Sequence, residues 1–197
     1  MLPEVAPASD TISVRQLDRR LVGDRAMDIA EIQIRRLTAA DAEIFRDIRL
    51  EALRCNPEAF GSSFAAESVN PASWFADRLG SSFVLGAFHA TELIGIAALI
   101  IQSGDKRAHK GMLVGMYVRP NARRAGVGRR LVEAIIDLAR GHVELIQLSV
   151  VKENDAARRL YAGLGFLDYG VEIHALKQGG RYYDEILMAK QLTRNQD

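Results

Sequence analysis

The sequence has very little cysteine and no long hydrophobic run. Cys55 is the single cysteine of 197 residues, so no intrachain disulfide can form. This is compatible with a reducing cytoplasm, where we expect the protein to reside. The longest apolar stretch, residues 93–101, is far shorter than the ~20 residues that cross a bilayer. The first residues lack the basic-then-apolar order of a signal peptide, and we expect no membrane partner.

An excess of one charge is lacking as well. The chain has 26 Lys and Arg against 25 Asp and Glu, a formal net charge of +1, so global charge does not predict nucleic-acid binding. The basic side chains are nevertheless concentrated in one segment without acidic residues, which contains Arg119, Arg123, Arg124, Arg129 and Arg130. A compact basic segment in a nearly neutral protein suits a small polyanionic ligand better than a long one.

The length of the chain fits one domain with an extension. Residues 1–30 begin with prolines and polar residues, which favour disorder, and Met27 is a candidate translation start just before the first strand pattern. We expect a single domain over residues 31–192 and a short tail over residues 193–197. Apolar content of 48% and charged content of 26% are typical of a globular domain.

Alternation and helical periodicity divide this domain into strands and helices. Helices are predicted to begin near residues 38, 71, 126 and 154. Strands are predicted over residues 31–36, 82–89, 92–101, 109–118, 143–150, 166–176 and 181–189. The order is strand, helices, three strands, helix, strand, helix and two strands, which indicates an α/β sandwich around a central sheet.

The most informative segment is residues 123–128, Arg-Arg-Ala-Gly-Val-Gly, between a strand and a helix. Glycines allow a sharp turn and a close approach to a ligand, and the helix start offers unpaired N–H groups and a positive dipole end. With its arginines the segment forms a socket for phosphate or pyrophosphate. It lacks the Lys-Ser/Thr of a P-loop, and Leu131 stands where a dinucleotide fingerprint needs glycine. The alternative is a tight turn with solvated arginines.

Residues 116–120, followed by Arg123-x-x-Gly126-x-Gly128, resemble the acyl-CoA signature of the GNAT superfamily of N-acetyltransferases. The next conserved block of that family is resembled by Asn154, Ala157, Tyr161, Gly165 and Phe166. The resemblance covers about residues 32–192. It implies an α/β fold with a mixed, mostly antiparallel central sheet of about seven strands flanked by helices.

The resemblance also implies acetyl-CoA as the acyl-donor cosubstrate and no metal. Backbone amides from Arg124 to Arg129 would cradle the pyrophosphate, and the pantetheine arm would lie along Met116 and Val118. The implied cofactor-binding residues are Met116, Tyr117, Val118, Arg123, Arg124, Ala125, Gly126, Val127, Gly128, Arg129 and Asn154. A place for the arm exists only if strand 109–118 splays from strand 143–150, and Gly115 is the candidate for that distortion.

The implied reaction is direct attack of a neutral amine on the thioester, with Tyr161 as the general acid for the leaving thiolate. A phenol pKa near ~10 is close enough to a thiol's ~8.5 for that role. On residue pattern alone, Tyr161 could instead be a core residue, since Ala157, Leu160 and Leu164 share its helical stripe. Asn154 could be a helix N-cap.

The amine acceptor and the general base stay open at this stage. Conceivable bases are His109, Glu144, Glu172, Asp184 and Glu185, although a solvated or ion-paired role is the ordinary one for each of them. A water chain could also accept the proton, or the amine could arrive already neutral. The acceptor is a small-molecule or protein amine, and its site is expected near residues 57–63, Trp74 and residues 181–183, although the helical spacing of Trp74 from Leu79 favours packing for this residue. Nucleic acid is not an expected partner. Two alternatives remain: a non-catalytic acyl-CoA-binding module, and an RNA- or nucleotide-binding protein. Many proteins of this fold form homodimers, which the sequence does not decide.

Overall fold

The computed structural model describes residues 29–192, which fold into five α-helices and seven β-strands. The helices are α1 (Ala42–Cys55), α2 (Phe64–Ser68), α3 (Ala72–Ser81), α4 (Val127–Arg140) and α5 (Asp155–Ala162). The strands are β1 (Ile32–Arg36), β2 (Phe83–His89), β3 (Glu92–Ile101), β4 (Lys110–Val118), β5 (Leu145–Val151), β6 (Leu167–Gln178) and β7 (Arg181–Gln191). The extension up to residue 28, with Met27, and the tail 193–197 lie outside the described residues. None of the described helices has the length and apolar character needed to cross a membrane.

The strands form one sheet in the order β1-β2-β3-β4-β5-β7-β6. Every neighbouring pair is antiparallel except β4 and β5, which are parallel. This exception follows from the connection, because α4 lies between these two strands in the chain and carries it back to the same end of the sheet. The predicted mixed, mostly antiparallel sheet of seven strands is therefore confirmed.

Helices cover both faces of the sheet. On one face α4 buries Val127, Leu131 and Ile135, three of the four residues of the stripe that helical periodicity predicts, while the fourth, Leu138, is only partly buried. Its buried face is wider than predicted, since it also includes Val132, Ile136 and Ala139. On the other face α1 and α3 pack onto the sheet through a second cluster that includes Phe45, Ile48, Phe75 and Leu79. The sheet therefore separates two apolar cores.

β4 and β5 pair over only a short stretch and then separate. Their register runs only from Lys110–Leu145 to Met112–Gln147. On its other edge β4 gains one extra residue against β3, where the register shifts between Ile96 and Ala98. Gly115 lies in this bulge with a φ of +64°, in the left-handed region that glycine tolerates best. The expected splay is thus present, and Gly115 lies three residues beyond the last β4–β5 pair.

α2 was not predicted, because five residues are too few to give a helical period. Its Glu67 is 2% exposed and pairs with Arg49 of α1, which is 7% exposed. Arg49 Nε and Nη2 donate to the two Glu67 carboxylate oxygens at 2.9 and 2.7 Å. This bidentate pair satisfies two buried charges and fixes α2 against α1.

Candidate active site

The segment 123–128 links β4 to α4 through two left-handed residues. Gly126 is the N-cap of α4 with φ +80° and ψ −3°, so α4 begins at Val127, one residue later than predicted. Arg124 has a φ of +65°, which is uncommon for a residue with a side chain. Such a conformation costs about 1–3 kcal/mol, and strained residues of this kind cluster at functional sites.

The start of α4 presents unpaired backbone donors. The first backbone hydrogen bond of the helix runs from the Arg130 N–H to the Gly126 carbonyl at 3.1 Å. The amides of Val127, Gly128 and Arg129 therefore have no partner within the helix. Together with the positive end of the helix dipole, these donors form a site suited to an anion.

The arginines of this segment are more constrained than the sequence suggested. Arg123 Nε donates to the Val118 carbonyl at 2.9 Å, and Arg123 Nη2 donates to Asn56 Oδ1 at 3.0 Å. Arg129 Nε donates to Glu133 at 2.8 Å on the surface of α4. Arg124 is exposed and has no hydrogen bond or ion pair within residues 29–192. Arg123 thus fastens the loop after α1 to the end of β4, and Arg124 is the arginine left available to a ligand.

A cleft of about 760 Å³ opens between the ends of β4 and β5, α4 and α5. This volume is within the ~300–1,000 Å³ typical of small-molecule sites. Of the predicted cofactor-binding and catalytic residues, the cleft is lined by Met116, Tyr117, Val118, Arg123, Arg124, Gly128, Asn154 and Tyr161. It is not lined by Ala125, Gly126, Val127 or Arg129, and the Val127 side chain is only 1% exposed.

Glycine at position 128 keeps the cleft open beside β4. A Cβ at Gly128 would lie 3.2 Å from Met116 Cε and 3.4 Å from Leu160 Cδ2. The first distance is tighter than an ordinary van der Waals contact, so the Met116 side chain would have to shift by a few tenths of an ångström. The absence of a side chain therefore lets the helix start approach a ligand lying along β4.

Tyr161 both packs in the core and lines the cleft. It is 6% exposed and its ring lies edge-on to Phe166, with the ring centroids 5.9 Å apart. Its hydroxyl has no hydrogen-bond partner in the described part of the chain. Burial raises the pKa of Tyr161 well above its ordinary value, so the phenol keeps its proton.

Asn154 and Tyr117 have structural partners of their own. Asn154 Oδ1 accepts from the Ala157 N–H at 3.2 Å, so the residue is the N-cap of α5, and its amide nitrogen stays available as a donor. The Tyr117 hydroxyl donates to Glu51 of α1 at 3.0 Å, on the opposite face of the sheet from the Met116 side chain.

A second cavity, of about 260 Å³, lies under α1 and α3 on the other face of the sheet. Ala59 and Phe60, from the predicted acceptor loop, line both this cavity and the cleft, and the cavity is called the acceptor cavity after that prediction. The acceptor cavity reaches Gly115, Ser149 and Glu185, where β4 and β5 have separated. The gap between these strands therefore brings the two cavities together from opposite faces.

Some of the residues expected around the acceptor pack against other side chains, and others line one of the two cavities. Trp74 lines neither cavity and lies edge-on to Phe75 at 4.9 Å, as the packing interpretation predicts. Arg181 and Tyr183 line the cleft. The acceptor cavity also contains Arg49 and Arg78, which the sequence analysis did not select. The sequence contained one indication of Arg49, because it lies in the apolar stripe of α1, where a charged residue needs a buried partner.

Of the conceivable bases, Glu185 lies in the acceptor cavity. His109 and Glu144 line a separate cavity at the beginning of β4. The cleft lies at the opposite end of this strand, near Val118, about 30 Å away at ~3.3 Å per strand residue. Asp184 Oδ1 accepts from the His174 N–H at 2.9 Å. Glu172 is exposed opposite Glu185 in the β6–β7 pairing.

The chain is similar to known acetyltransferases in sequence and in fold. The family model described as Acetyltransferase (GNAT) family matches residues 45–166. The chain is 32% identical over 146 residues to N-alpha-acetyltransferase RimI of Mycobacterium tuberculosis, covering 73% of this chain and 84% of that protein. A putative acetyltransferase from Salmonella typhimurium, yncA, solved with its cofactor acetyl-CoA, is 25% identical with a TM-score of 0.71, over 84% of this chain and 96% of that one. Ribosomal-protein-alanine N-acetyltransferase from Brucella melitensis is 25% identical with a TM-score of 0.67, over 81% and 99%.

Proposed function

The chain belongs to the acetyltransferase (GNAT) family, and from this premise we propose that it acetylates the α-amine of a peptide, with acetyl-CoA as donor. The observation that carries the proposal is the arrangement of the two cavities. A cleft with an anion-binding helix start meets a second cavity through the gap between β4 and β5. The similarity to an N-alpha-acetyltransferase supports a peptide N-terminus as the acceptor.

The residues present fit the donor. The free amides of Val127 to Arg129 and the guanidinium of Arg124 suit a pyrophosphate. After Met112 the β5-facing edge of β4 has no strand partner, so the edge near Met116 and Val118 can pair with the amides of an extended arm. Asn154 can donate its amide N–H to the same arm. When bound, acetyl-CoA supplies the thioester carbonyl that the amine attacks.

The transfer forms a bond between the amine nitrogen and the acetyl carbon and breaks the carbon–sulfur bond. A backbone N–H near Met116 or Tyr117 stabilises the negative charge that develops on the carbonyl oxygen. Tyr161 is the general acid, and its phenolic proton goes to the departing thiolate sulfur. Because both partners are held at one gap, much of the entropic barrier to their encounter is removed before reaction.

We assign the acceptance of the amine proton to Glu185, directly or through one water. It lines the acceptor cavity with Gly115 and Ser149, beside the gap. Within the described chain its carboxylate has no hydrogen bond or ion pair, so it is available to an ammonium group. Its register neighbour Glu172 lies outside the cavity and provides a matched control.

The test is a mass-detected acetylation assay on peptide pairs. One peptide has a free α-amine and no lysine, and the other has a blocked α-amine and one lysine. We expect the first peptide to be acetylated and the second to react at least about tenfold more slowly, because a lysine amine would not be held in the position of the α-amine. Preferential acetylation of lysine would contradict the α-amine assignment. CoA binding without turnover on any amine would instead identify a non-catalytic module.

The assignment of Glu185 is tested by the pH dependence of kcat/KM. In Glu185→Gln the rate at neutral pH should fall by roughly 10²-fold, within the range for a lost general base, and should recover as rising pH neutralises the amine in solution. Glu172→Gln should keep the wild-type profile. A wild-type profile for Glu185→Gln would remove this carboxylate from catalysis.

A further inference from the structure

The acceptor cavity has a cationic end. Arg49 and Arg78 both line it, and both guanidinium groups face the single carboxylate of Glu67. Glu67 is already engaged by Arg49 in two short hydrogen bonds. Two cations thus share one anion, and this end of the cavity has one positive charge in excess.

Arg78 is the guanidinium with unused donors. Its Nη1 lies 3.5 Å from Glu67 Oε1, longer than the ~2.7–2.9 Å of a charge-assisted hydrogen bond. No other acidic or carbonyl partner of its side chain occurs within residues 29–192. The guanidinium lies 4.7 Å from the centre of the Trp74 ring, which fixes the plane of its fork.

The surroundings of Arg78 are partly dry. Its side chain is 42% exposed, and the walls between it and the gap are largely apolar, with Val84, Ile96 and Met112. Burial and the neighbouring Arg49 lower the pKa of Arg78, while Glu67 opposes that shift, and an arginine stays charged nonetheless. A charged donor in such a place gains more from an anionic partner than one in open water does.

The other end of the cavity is anionic and lies at the gap. Glu185 and Ser149 line it there, where the amine must meet the thioester. From β2, beside Arg78, to β4 at the gap there are two strand spacings, about 10 Å at ~4.8 Å each, and β5 lies farther away because it has separated from β4. A free α-amino acid is too short to reach both ends, because its carboxylate lies only two bonds from its amine nitrogen. An extended peptide advances ~3.3–3.6 Å per residue and can do so with its second or third residue.

We propose that Arg78 is a specificity-determining residue, which binds an acidic side chain at the second or third position of the acceptor peptide. The N-terminal amine then lies at Glu185, and the peptide crosses the apolar walls between the two charges. This inference rests on the proposed function, since it assumes that a peptide α-amine is acetylated.

The test compares matched peptides that differ at one position. Acceptors with Glu at residue two or three are compared with the same peptides containing Gln, with kcat/KM measured from the acetylated product by mass. The wild-type chain should prefer one of the Glu peptides by at least about tenfold, the effect of one hydrogen bond to a charged group. Arg78→Gln should bring that ratio close to one by slowing only the Glu peptide.

Two further variants make the result specific. Arg54→Gln is the matched control, because Arg54 also stacks on an aromatic ring, Phe64 at 4.6 Å, but lines neither cavity, and its ratio should equal the wild-type ratio. Arg78→Lys keeps the charge without the fork and should give an intermediate ratio. It also serves if Arg78→Gln does not fold, since a wild-type ratio in the lysine variant would overturn the forked contact.

The outcomes separate the two proposals. A wild-type ratio near one, or a preference that survives in Arg78→Gln, would overturn the anion-binding role while acetyl transfer to peptides stands. A preference lost equally in Arg54→Gln would also overturn it, since a general charge effect would then suffice. Failure of the wild-type chain to acetylate any peptide would overturn the proposed function, and this inference with it.

Discussion

Replacing Tyr161 with phenylalanine tests the proposed chemistry with little risk to the fold. The side chain is 6% exposed and its ring packs against Phe166, contacts that phenylalanine preserves. The hydroxyl has no hydrogen-bond partner in the described chain, so its removal leaves no protein group unpaired. We therefore expect Tyr161→Phe to keep the free energy of unfolding within about 0.5 kcal/mol of wild type, and any change to be a slight gain.

The effect on the rate follows from the proton that Tyr161 retains. Because burial raises its pKa, the phenol is a weaker acid than a free thiol, so in the transition state the Tyr161 hydroxyl donates a hydrogen bond to the sulfur, and its proton is transferred late. A hydrogen bond to the developing thiolate is worth about 1.5–3 kcal/mol, which corresponds to a factor of roughly 10–150 in kcat. The interaction forms only as the carbon–sulfur bond breaks, so the KM for acetyl-CoA should change by less than about threefold.

The assay is release of the CoA thiol, with the acetylated product confirmed by mass. Tyr169→Phe is the control, because Tyr169 is exposed on β6 and its hydroxyl accepts only from Gln147 at 3.0 Å. The raised pKa also sets the sign of the pH dependence: the acid stays protonated, so kcat should show no alkaline loss below about pH 10 from this group. A kcat for Tyr161→Phe within twofold of wild type would refute the reasoning.

Three further predictions concern stability and binding. Glu67→Gln leaves Arg49 buried without its anion, and chemical denaturation should show a loss of about 3–5 kcal/mol; a loss below 1 kcal/mol would contradict a tight buried pair. Gly128→Ala places a Cβ 3.2 Å from Met116 Cε, so calorimetry should give a Kd for CoA roughly tenfold higher, and an unchanged Kd would mean that the methionine yields freely. Asp41 has its pKa lowered to about 2 by hydrogen bonds from Arg35, so its stabilisation is full above the unfolded pKa of ~3.9 and is lost as pH falls through about 2. The stability deficit of Asp41→Asn at neutral pH should therefore vanish across that acid window, and a deficit that persists at lower pH would show another cause.

The strands and long helices follow from local patterns. Residues 92–101 were predicted as a strand and form β3 with the same bounds, since their side chains alternate between two buried faces. For α4, periodicity identified Val127, Leu131 and Ile135, while Leu138 is only partly buried. The fold class is confirmed for the same reason: apolar spacing reports which side of an element faces the core.

Side-chain partners were harder to predict than elements. From the sequence, Arg123 and Arg129 were predicted to bind a ligand. In the structure Arg123 donates hydrogen bonds to Asn56 and to the Val118 carbonyl, and Arg129 pairs with Glu133 one turn along α4. The contact between Arg129 and Glu133 could have been predicted, because residues four apart on a helix are neighbours. The contact between Arg123 and Asn56 could not, since these residues lie 67 positions apart and meet only in the folded chain.

By itself, the sequence determined the glycine turn, the unpaired amides at the start of α4 and the family that these residues indicate, because such features depend on neighbours along the chain. Only the tertiary structure decided how the site is completed. The separation of β4 from β5, the position of Glu185 beside that gap and the carboxylate shared between Arg49 and Arg78 all depend on distant segments of the chain. Local pattern cannot specify them, because a contact between distant residues depends on how every element between them packs.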